Sequence, residues 1–563
     1  MSTIIGFNNG IHDSGVALIQ DGVIKAMYAE ERFSNIKLCG GAVNLSLKAL
    51  IEDYNLNLDT VDHFVTSTSF VLNVNDEDLL KKYKHKIKHY PHQYCHVIGS
   101  LIFSEFYKKD DVMILTLDGG DNNIHHLSYD ESIDDVIYNW LDDTKEMLWW
   151  QKCKSNAHRS HGSLSIYKDG KITTIKQFNN NFGYLYYDIG TLLMWYVYNI
   201  RGTNLEGKIM GLSSKGKYNE CVYKTFRSLC HFNKEHEHFE NHTSVGLNTN
   251  NNFIHGRIQN ELLGLIGKYS AEDMCYNLQK CVEDACVEFI QFYQEKYKCK
   301  YICLSGGFFA NVKTNQLINE KLDFDEVFVM PAMNDEGISM GAALAKCIDL
   351  GEYKFEPVKD VYLGKEYSNV EIDNFVKNNC DNYVPFDFDV LVEHLKNGKI
   401  VGVFRGRTEF GPRALGNRSI LVDPTNRDTF TILNNRLQRN EIMPFAPIML
   451  DECVDDILYC KKSKRSAEFM TLCYNVKPEW VNKIPAVINV YDNTCRPQIV
   501  TKDTNDWLHT LLKKYNQSTG VPVLLNTSFN THGYPIINSP QQALDALKEK
   551  VIDMLVIEDY IIY

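Results

Sequence analysis

Two Asp-Gly dipeptides, each set between alternating apolar runs, constrain the fold of this chain more than any other feature. Asp21-Gly22 separates GVALIQ from VIKAMYAEE, and Asp169-Gly170 separates SLSIYK from KITTI. Asp-Gly between such runs is a strong signal for a β-hairpin with a two-residue turn. Because each hairpin is close to a loop that bears Gly or Asp, the sequence predicts a duplicated, β-rich fold.

Helical and strand patterns alternate along the rest of the chain. Apolar residues recur at helical spacing from 270 to 298, and the strand YICLS then leads through Gly306-Gly307 into another helix. The polar stretch 233–253 predicts an exposed insertion, and 351–370, with one proline and two glycines, is the best candidate for a linker. We therefore expect an α/β (α+β) protein of at least two domains.

Composition narrows the functional classes. The 563 residues correspond to roughly three to four domain equivalents, and 44% hydrophobic with 23% charged residues is typical of globular proteins. The 59 basic and 72 acidic residues give a net charge of −13, which disfavours general binding to nucleic acid. The sequence shows no basic leader, no apolar run of ~18 residues and no C-x-x-C pair among its 16 cysteines. We expect a cytoplasmic enzyme with reduced thiols and no membrane association.

Three loops combine acidic or hydroxyl groups with glycine at the end of a predicted strand. The first is NNGIHDSG at 8–15, the second is LDGGD with Asp118 and Gly119, and the third is LSGG with Gly306 and Gly307. Backbone amides in such loops can approach a phosphate, and a carboxylate at the end of a strand can face a phosphate-bound metal. Together the loops favour a nucleotide site, although the first alone would also fit a plain hairpin turn.

A pair of histidines predicts a metal site. His92 and His96 in PHQYCH are four residues apart, so on a helix they would share one face and could bind one divalent ion through neutral imidazoles. Histidines at this spacing also occur as ordinary surface residues, so the interpretation requires a third ligand. Asp335 in NDEG, between a predicted strand and a helix rich in small residues, is the candidate for that ligand.

The segment FRGRTEFGPRALGNRS at 404–419 is the second candidate site. Its arginines are Arg405, Arg407, Arg413 and Arg418. Glycines among them let the backbone approach a ligand, while guanidinium groups bind phosphate or carboxylate oxygens. A solvated basic loop is the alternative, but it would not require GPRALG. Arg496 in CRPQIV and the polar run Asn526-Thr527-Ser528 after the strand VPVLL predict further walls of this pocket.

Taken in order along nearly the entire chain, these motifs resemble those of the ATP-dependent O-carbamoyltransferases, the family of nodulation protein U and tobramycin carbamoyltransferase. In the first part the shared motifs are HDSG at 12–15, EERFSNIK at 30–37, HQYCH at 92–96, LDGGD at 117–121, EGKIMGL at 206–212, LSGGFFANVKTN at 304–315 and NDEGISMGAAL at 334–344. In the later part they are EFGPRALGNRSIL at 409–421, PFAPIML at 444–450, TCRPQIV at 494–500 and LLNTSFN at 524–530.

The resemblance implies a duplicated actin-like ATPase (ribonuclease H-like) domain at 1–355, which bears a metal and transfers carbamoyl groups, and a YrdC-like domain at 370–563. In the YrdC-like domain carbamoyl phosphate and ATP, with Mg2+, would condense to carbamoyl adenylate with release of pyrophosphate. A hydroxyl group of a small-molecule or nucleoside acceptor then takes the carbamoyl group, and AMP leaves. Adenylation supplies a better leaving group, and arginines neutralise charge on phosphate. The resemblance also implies a homodimer.

The same resemblance assigns roles to individual residues. The metal, expected to be Fe2+, would be bound by His92, His96 and Asp335. Nucleotide or phosphate contacts are expected from Asp118, Gly119, Gly306, Gly307, Asn311, Gly337 and Asn526. Near the transfer site, His12 would act as general base toward the acceptor hydroxyl, beside Lys37. Carbamoyl phosphate and the adenylate would be held by Arg413, Arg418, Arg496 and Ser528.

Several positions depart from the family pattern. Gln93 stands where the second histidine of a His-His-x-x-His run is usual, which leaves the first and last positions as ligands. Ahead of PFAP the family commonly reads Lys-x-Arg-Glu, with a further Arg directly before the proline. This chain has Leu437, Asn440 and Met443 at three of these positions, so two basic residues are missing, and Tyr534 stands in place of a usual glutamate. These changes bear on rate and on the carbamoyl donor more than on the fold.

Other functions stay open at this point. A transferase of the tRNA threonylcarbamoyl type shares the N-terminal domain, but the negative net charge and GPRALGNRS argue against it. Hydrogenase-maturation carbamoyltransferases have an acylphosphatase domain and paired C-x-x-C motifs, which this sequence lacks. A nucleotide-binding scaffold without activity is favoured only by the missing basic residues. The acceptor is open too, since the lysines between 81 and 88 could attract an anionic nucleotide or form a solvated helix face.

Overall fold

The computed structural model describes residues 2–10, 12–67, 79–122, 159–178, 206–241, 256–439, 443–460 and 462–563, with a few single positions between 183 and 197. Two compact units are present. Unit 1 comprises Met1–Ser67, Val74–Ile87 and Met330–Tyr563, and unit 2 comprises Thr68–Asn73 and Lys88–Val329. Asn440 and residues 242–253 of the predicted insertion lie outside the described residues.

The first predicted hairpin belongs to a five-stranded sheet. Its strands are β1 (Thr3–Asn8), β2 (Gly15–Gln20), β3 (Val23–Ala29), β4 (His63–Ser67) and β5 (Ile87–Tyr90), in the order β3-β2-β1-β4-β5. β2 is antiparallel to both β1 and β3, whereas β4 is parallel to β1. Asp21 and Gly22 form the turn with φ angles of 53° and 75°, the left-handed values that a type I′ turn requires.

The second predicted hairpin belongs to a sheet of the same topology in unit 2. The strands of this unit are β6 (Val112–Asn122), β7 (Arg159–Lys168), β8 (Lys171–Phe178), β9 (Cys230–Asn233), β10 (His238–Asn241), β11 (Tyr301–Ser305) and β12 (Glu326–Val329). β9 pairs with β10, and the others form a sheet in the order β12-β11-β6-β7-β8. Two antiparallel hairpin pairings are followed by β11 parallel to β6, as in the first sheet. The repeated order confirms the predicted duplication.

Helices pack around both sheets. In the continuous described ranges of unit 2, the helices are His92–Phe103, Glu206–Ser213, Glu220–Leu229, Gly256–Leu265, Ala271–Tyr297 and Val312–Lys321. The 27-residue helix Ala271–Tyr297 begins at Ser270, whose hydroxyl accepts from the amide of Asp273, and it confirms the helix predicted from 270 to 298. In unit 1, up to the linker, the helices are Glu30–Ser34, Asn44–Tyr54 and Ile338–Asp349. Short 3₁₀ turns lie at Leu58–Thr60, Lys81–Lys86, Phe106–Lys108, Gly307–Ala310, Asp335–Gly337, Asp451–Cys453 and Pro485–Val487.

The later part of unit 1 is built on an eight-stranded sheet. Its strands, with the separate pair β17 and β18, are β13 (Tyr383–Pro385), β14 (Val401–Phe404), β15 (Arg418–Val422), β16 (Ala446–Leu450), β17 (Tyr474–Asn475), β18 (Thr494–Cys495), β19 (Gln498–Val500), β20 (Val523–Ser528), β21 (Met554–Ile557) and β22 (Tyr560–Ile562). The sheet order is β13-β22-β21-β14-β15-β20-β16-β19. Its helices are Asn369–Asn379, Phe388–Lys396, Asp428–Arg436, Val454–Ile457, Lys464–Ala467, Pro478–Val481, Asp506–Thr519 and Pro540–Lys548.

Burial explains why two of these helices lie on the eight-stranded sheet. Leu391 and Leu395 of Phe388–Lys396 and Leu508 and Leu512 of Asp506–Thr519 form one apolar core with strand residues such as Val401. The chain is therefore an α/β protein with several sheets, as predicted. None of the helices in the described ranges is long and apolar enough to cross a membrane.

The segment predicted as a linker contains no helix or strand between residues 352 and 368, yet its backbone is bonded on two sides. The carbonyl oxygen of Leu363 accepts from the amide of Met27 in β3. On the other side, the amide of Gly364 donates to Thr408, and the amide of Phe410 donates to Val361. These bonds hold the first sheet and the segment after β14 together within unit 1. The domain boundaries at 355 and 370 stay predictions.

Candidate functional site

The predicted histidine pair lies beside an aspartate in unit 2. The helix His92–Phe103 begins directly after Pro91, so His92 and His96 are one turn apart at its N-terminus, with side chains only 3% and 1% exposed. Oδ2 of Asp118, on β6, lies 3.0 Å from Nε2 of His92 and 3.2 Å from Nε2 of His96. Both imidazoles therefore direct the same ring nitrogen at one carboxylate oxygen. We call these three residues the histidine cluster.

The electrostatics of the histidine cluster suit a divalent cation. Burial acts to raise the pKa of Asp118, but the hydrogen bonds with His92 and His96 outweigh it and hold that pKa well below its ordinary range. Nδ1 of His96 lies 3.1 Å from Oγ of Ser305, so the ring can donate from Nδ1 to this hydroxyl when a metal takes the place of the proton on Nε2. Two imidazoles and a carboxylate are a donor set typical of Fe2+ or Zn2+ sites. Asp335 belongs to unit 1, and its part as a ligand stays a prediction.

Gln93, which departs from the family pattern, lies outside the histidine cluster. Its side chain is buried, and its Oε1 accepts from the hydroxyl of Thr116 on β6 at 2.5 Å. Thr116 is bonded in turn to Ser163 on β7. The glutamine therefore fastens the helix to the sheet.

Glycines bring the third predicted loop against Asp118. Gly306 has a φ of 96°, and a Cβ on it would lie 2.1 Å from the carbonyl oxygen of Leu117. A Cβ on Gly307 would lie 3.3 Å from Oδ1 of Asp118. The structure thus brings Gly306 and Gly307 to the predicted phosphate loop, of which Gly119 forms part within β6. Their contact with a nucleotide stays a prediction.

Asn311 has a local structural role next to this loop. Its Oδ1 accepts from the amide of Thr314 and caps the helix Val312–Lys321. Its amide nitrogen donates to Oε1 of Gln279, and that of Gln279 donates back to Oδ1, both at 3.0 Å. These hydrogen bonds are within the protein, and the contact of Asn311 with a nucleotide stays a prediction.

In unit 1, the first predicted loop and the NDEG segment meet. Nδ2 of Asn8 donates to the carbonyl oxygens of Asp13 at 3.0 Å and Asp335 at 3.2 Å. The side chain of His12 is 47% exposed, and its Nδ1 lies 3.1 Å from the carboxylate of Asp13. Lys37 is exposed. Gly337 turns so tightly that a Cβ would lie 2.3 Å from the carbonyl oxygen of Ala332.

The segment 409–418, which we call the arginine loop, is closed by one buried carboxylate. Oε1 of Glu409 accepts from the amides of Leu415 at 2.8 Å, Asn417 at 2.8 Å and Arg418 at 3.1 Å. Asn526 and Gln498 hold the loop from below, because they donate to the carbonyl oxygens of Ala414 and Leu415. The loop is therefore preorganised, with Arg413 near its middle.

Arg413 lies close to a second arginine without a counter-charge. The positive charge of Arg496, together with burial, lowers the pKa of Arg413 to about 9, and burial lowers the pKa of Arg496. In the described part of the chain, neither guanidinium has a hydrogen-bond or ion-pair partner, and Nε of Arg413 is buried. Two like charges held together in this way form a site for an anion.

Arg439 joins Arg413 and Arg496, and we call these three residues the arginine cluster. The sequence motifs did not indicate Arg439. Its Nη1 donates to Oγ1 of Thr527 at 3.0 Å and its Nη2 to Oγ of Ser528 at 2.8 Å, at the end of β20. Its positive charge also lowers the pKa of Arg413. Ser528, predicted to hold carbamoyl phosphate or the adenylate, is therefore linked to the arginines.

Arg418, the last residue of the arginine loop, and Asn526 on β20 are enclosed by backbone and amide groups. Arg418 is fully buried, donates to the carbonyl oxygens of Arg405 at 2.6 Å and Gly406 at 3.0 Å, and stacks 3.7 Å above the ring of Phe404. Burial lowers its pKa to about 10. Asn526, also buried, donates to Oε1 of Gln498 at 2.7 Å. Their direct contact with substrate or nucleotide stays a prediction.

Comparisons with known proteins agree with the order of the motifs. The family profile described as Carbamoyltransferase N-terminus matches residues 48–344, and that described as Carbamoyltransferase C-terminus matches residues 392–563. An uncharacterised protein of Methanocaldococcus jannaschii is 30% identical over 501 residues, which are 86% of this chain and 75% of the relative. Nodulation protein NolNO of Sinorhizobium fredii is 26% identical over 577 residues, which are 99% of this chain and 79% of that protein. Among solved structures, HypF of T. kodakarensis is 12% identical with a TM-score of 0.37, over 62% of this chain and 48% of that one.

Proposed function

The chain belongs to the carbamoyltransferase family, and we propose that it is an ATP-dependent O-carbamoyltransferase that works through carbamoyl adenylate. The observation that carries the proposal is the pair Arg413 and Arg496, two neighbouring guanidinium groups without a partner in the described residues. Such a pair is suited to the phosphate groups of ATP and carbamoyl phosphate. Mg2+ would accompany the ATP.

In the proposed first half-reaction, phosphate and pyrophosphate must both leave for the atoms to balance. Water cleaves carbamoyl phosphate to carbamate and inorganic phosphate. A carbamate oxygen then attacks the α-phosphorus of ATP, the bond to the β-phosphate breaks, and pyrophosphate departs. Arg413, Arg439 and Arg496 stabilise the negative charge that develops on the phosphate oxygens. Ser528, held by Arg439, offers a hydroxyl to the same groups.

In the proposed second half-reaction, an acceptor hydroxyl takes the carbamoyl group. The acceptor oxygen bonds to the carbamoyl carbon, the bond from that carbon to the AMP oxygen breaks, and the hydroxyl proton moves to a base. We assign that base to His12, whose ring is half exposed beside Asp13, with Lys37 nearby in the family pattern.

The donor set in unit 2 fits the metal that the family resemblance implies. His92, His96 and Asp118 would hold a divalent ion, expected to be Fe2+, and we propose Asp335 as a further ligand. A bound divalent metal supplies Lewis acidity toward a carbonyl oxygen. Ser305 keeps the ring of His96 in its orientation whether or not the site is filled.

A small-molecule or nucleoside hydroxyl is the proposed acceptor class. The net charge of −13 argues against a tRNA substrate, since a long phosphate backbone is attracted by positive surfaces. The inactive-scaffold alternative drew its support from basic residues missing between 437 and 443. Arg439 weakens that support, because it places a guanidinium beside Ser528.

Pyrophosphate release tests the first half-reaction before any acceptor is known. Purified protein with ATP and carbamoyl phosphate should release pyrophosphate and phosphate in equal amounts, and labelled pyrophosphate should exchange into ATP only when carbamoyl phosphate is present. Exchange without carbamoyl phosphate would point to a different donor. ATP binding with neither release nor exchange would favour the scaffold.

A further inference from the structure

We propose that Arg32 and Glu336 are positioning residues for the arginine loop, which they hold at Gly411. Nη2 of Arg32 donates to the carbonyl oxygen of Gly411 at 3.0 Å, and the amide of Gly411 donates to Oε1 of Glu336 at 3.3 Å. An arginine and a glutamate thus bind the two backbone polar groups of one residue, two positions before Arg413. The inference rests on the proposed function, because it concerns the loop that we assign to adenylate formation.

The backbone at Gly411 is shaped for this contact. Gly411 has a φ of 100°, a conformation that other residues rarely adopt, and a Cβ there would lie 3.1 Å from the carbonyl oxygen of Pro331. Pro331 begins the segment that leads to Glu336. The same short segment therefore packs against the loop and accepts its hydrogen bond.

Burial of these two polar side chains costs free energy. Arg32 and Glu336 are each 6% exposed. Nε of Arg32 has no hydrogen-bond partner among the described residues, and Nη1 is 3.4 Å from the carboxylate of Glu31. A buried guanidinium with an unmet N–H group is a poor means of stabilising a fold, because apolar side chains of similar size often do as well or better. The role of Arg32 is instead its specific hydrogen bond to the carbonyl oxygen of Gly411.

The other hydrogen bonds of the arginine loop show what the two bonds at Gly411 contribute. Glu409, Asn526 and Gln498 bind backbone groups of residues 414–418, which follow Arg413. Before Arg413, the amide of Phe410 donates to the carbonyl oxygen of Val361. Gly411 also lies before Arg413, and its carbonyl and amide groups are bonded to Arg32 and Glu336. Repulsion from Arg496 acts on Arg413 between these two fixed ends. Release of Gly411 leaves the loop folded but lets Arg413 move away from the phosphate site.

Steady-state pyrophosphate exchange with full-length variants tests the proposal. Arg32→Ala should raise the KM for carbamoyl phosphate roughly 10- to 100-fold, the cost of a small displacement of a binding group. Glu336→Ala should act in the same direction, and Glu336→Gln, which still offers an oxygen to the amide of Gly411, should give a smaller rise. Gly411→Ala should reproduce the Arg32→Ala effect by strain in the backbone.

A matched control separates positioning from loss of stability. Arg227 forms a partly buried pair with both carboxylate oxygens of Glu288 in unit 2, far along the chain from the arginine loop. Arg227→Ala should lower the thermal midpoint while its KM for carbamoyl phosphate stays that of the unaltered protein. If Arg32→Ala behaves like Arg227→Ala, with a lower midpoint and an unchanged KM, the positioning role is refuted. Should Arg32→Ala fail to fold, Arg32→Lys and Glu336→Gln decide by the same readout.

Failure of the proposed function can be distinguished from failure of this inference. If the unaltered protein catalyses no exchange, the adenylate chemistry is wrong, and calorimetric binding of inorganic pyrophosphate then replaces KM as the readout. Weaker pyrophosphate binding by Arg32→Ala than by Arg227→Ala would still support the grip on Gly411. Equal binding by both variants would overturn it.

Discussion

The histidine cluster and the arginine cluster solve opposite electrostatic problems. In the histidine cluster, Asp118 already bonds both imidazoles, so its carboxylate has partners without any ligand. In the arginine cluster, Arg413 and Arg496 repel one another without a partner in the described residues, and an incoming anion relieves the repulsion. A cation must therefore displace bonds that exist, whereas an anion removes an existing strain. Affinity should be gained more readily at the arginines than at the histidines.

The sharpest way to break this comparison is Arg413→Ala. We expect pyrophosphate exchange to fall by roughly 10²- to 10³-fold or more, because a charge that stabilises the phosphate oxygens is lost. The thermal midpoint should not fall, since the substitution also removes repulsion with Arg496. Arg436→Ala, which instead breaks an ion pair with Asp553, is the control and should keep exchange. Undiminished exchange in Arg413→Ala would contradict the pocket.

Removal of the histidines should affect the other half of the reaction. The double variant His92→Ala with His96→Ala should bind no stoichiometric divalent metal, because two of the three ligand groups in unit 2 are gone. Carbamoyl transfer should be lost while pyrophosphate exchange persists. Gln93→Ala is the control from the same helix and should keep the metal, since Gln93 bonds to Thr116. Metal analysis that finds full occupancy in the double variant would rule out the histidine cluster as the site.

Glu409→Ala should show how far the arginine site depends on preorganisation. Three backbone amides lose their common acceptor, so we expect a loss of roughly 3 kcal/mol in the free energy of unfolding and weaker binding of pyrophosphate. Glu409→Gln keeps an acceptor oxygen and should lose less of both. Denaturant unfolding and calorimetry measure the two effects. Stability equal to that of the unaltered protein would show that the loop is held by its other bonds alone.

The smallest expected effect concerns a second buried carboxylate in unit 2. Burial raises the pKa of Glu283 to about 6, although Gln279, Lys313 and Lys280 favour its charged form, while neighbouring Asp284 disfavours it. Because the pKa of Glu283 is higher in the folded protein than its ordinary value, the free energy of unfolding is larger at low pH. This extra stability is fully present below about pH 4.5 and is lost as the pH rises through 6. Glu283→Gln should remove this slope and stabilise unit 2 by about 2 kcal/mol at pH 7. Thermal unfolding across this pH range measures it, and an unchanged slope would contradict the assignment.

Local sequence patterns predicted several elements of the fold. The Asp-Gly turns required only neighbouring residues, and both hairpins, the long helix from Ala271 and the spacing of His92 and His96 on one helix are found as predicted. What the patterns could not supply was which side chains meet. The nucleotide role predicted for Asp118 rests on a strand that ends at LDGGD, whereas β6 continues to Asn122. The contact of Asp118 with the histidines depends on how β6 pairs with β11 and packs on a helix 22 residues earlier in the chain.

The arginines illustrate the same limit. Arg413 and Arg418 are equivalent in the sequence pattern, yet one faces Arg496 and the other is enclosed by backbone carbonyl oxygens. Arg439 stands in a segment that lacks two basic residues of the family pattern, so the sequence did not indicate a guanidinium site there. A guanidinium in a short segment gives no local sign of its direction, which is set by β15, β20 and the turn that follows the helix Asp428–Arg436.

The segment between Val361 and Lys365 is hydrogen-bonded both to β3 and to the chain after β14, which limits where this protein can be divided during evolution. A gene fission at residue 370 would separate the amides of Thr408 and Phe410 from the carbonyl oxygens of Lys365 and Val361, which accept from them. Each fragment would then carry unmet backbone groups on a newly exposed face. The first sheet and the later sheet are thus expected to be inherited as one piece, whereas unit 2, formed by Thr68–Asn73 and Lys88–Val329, could vary in length on its own.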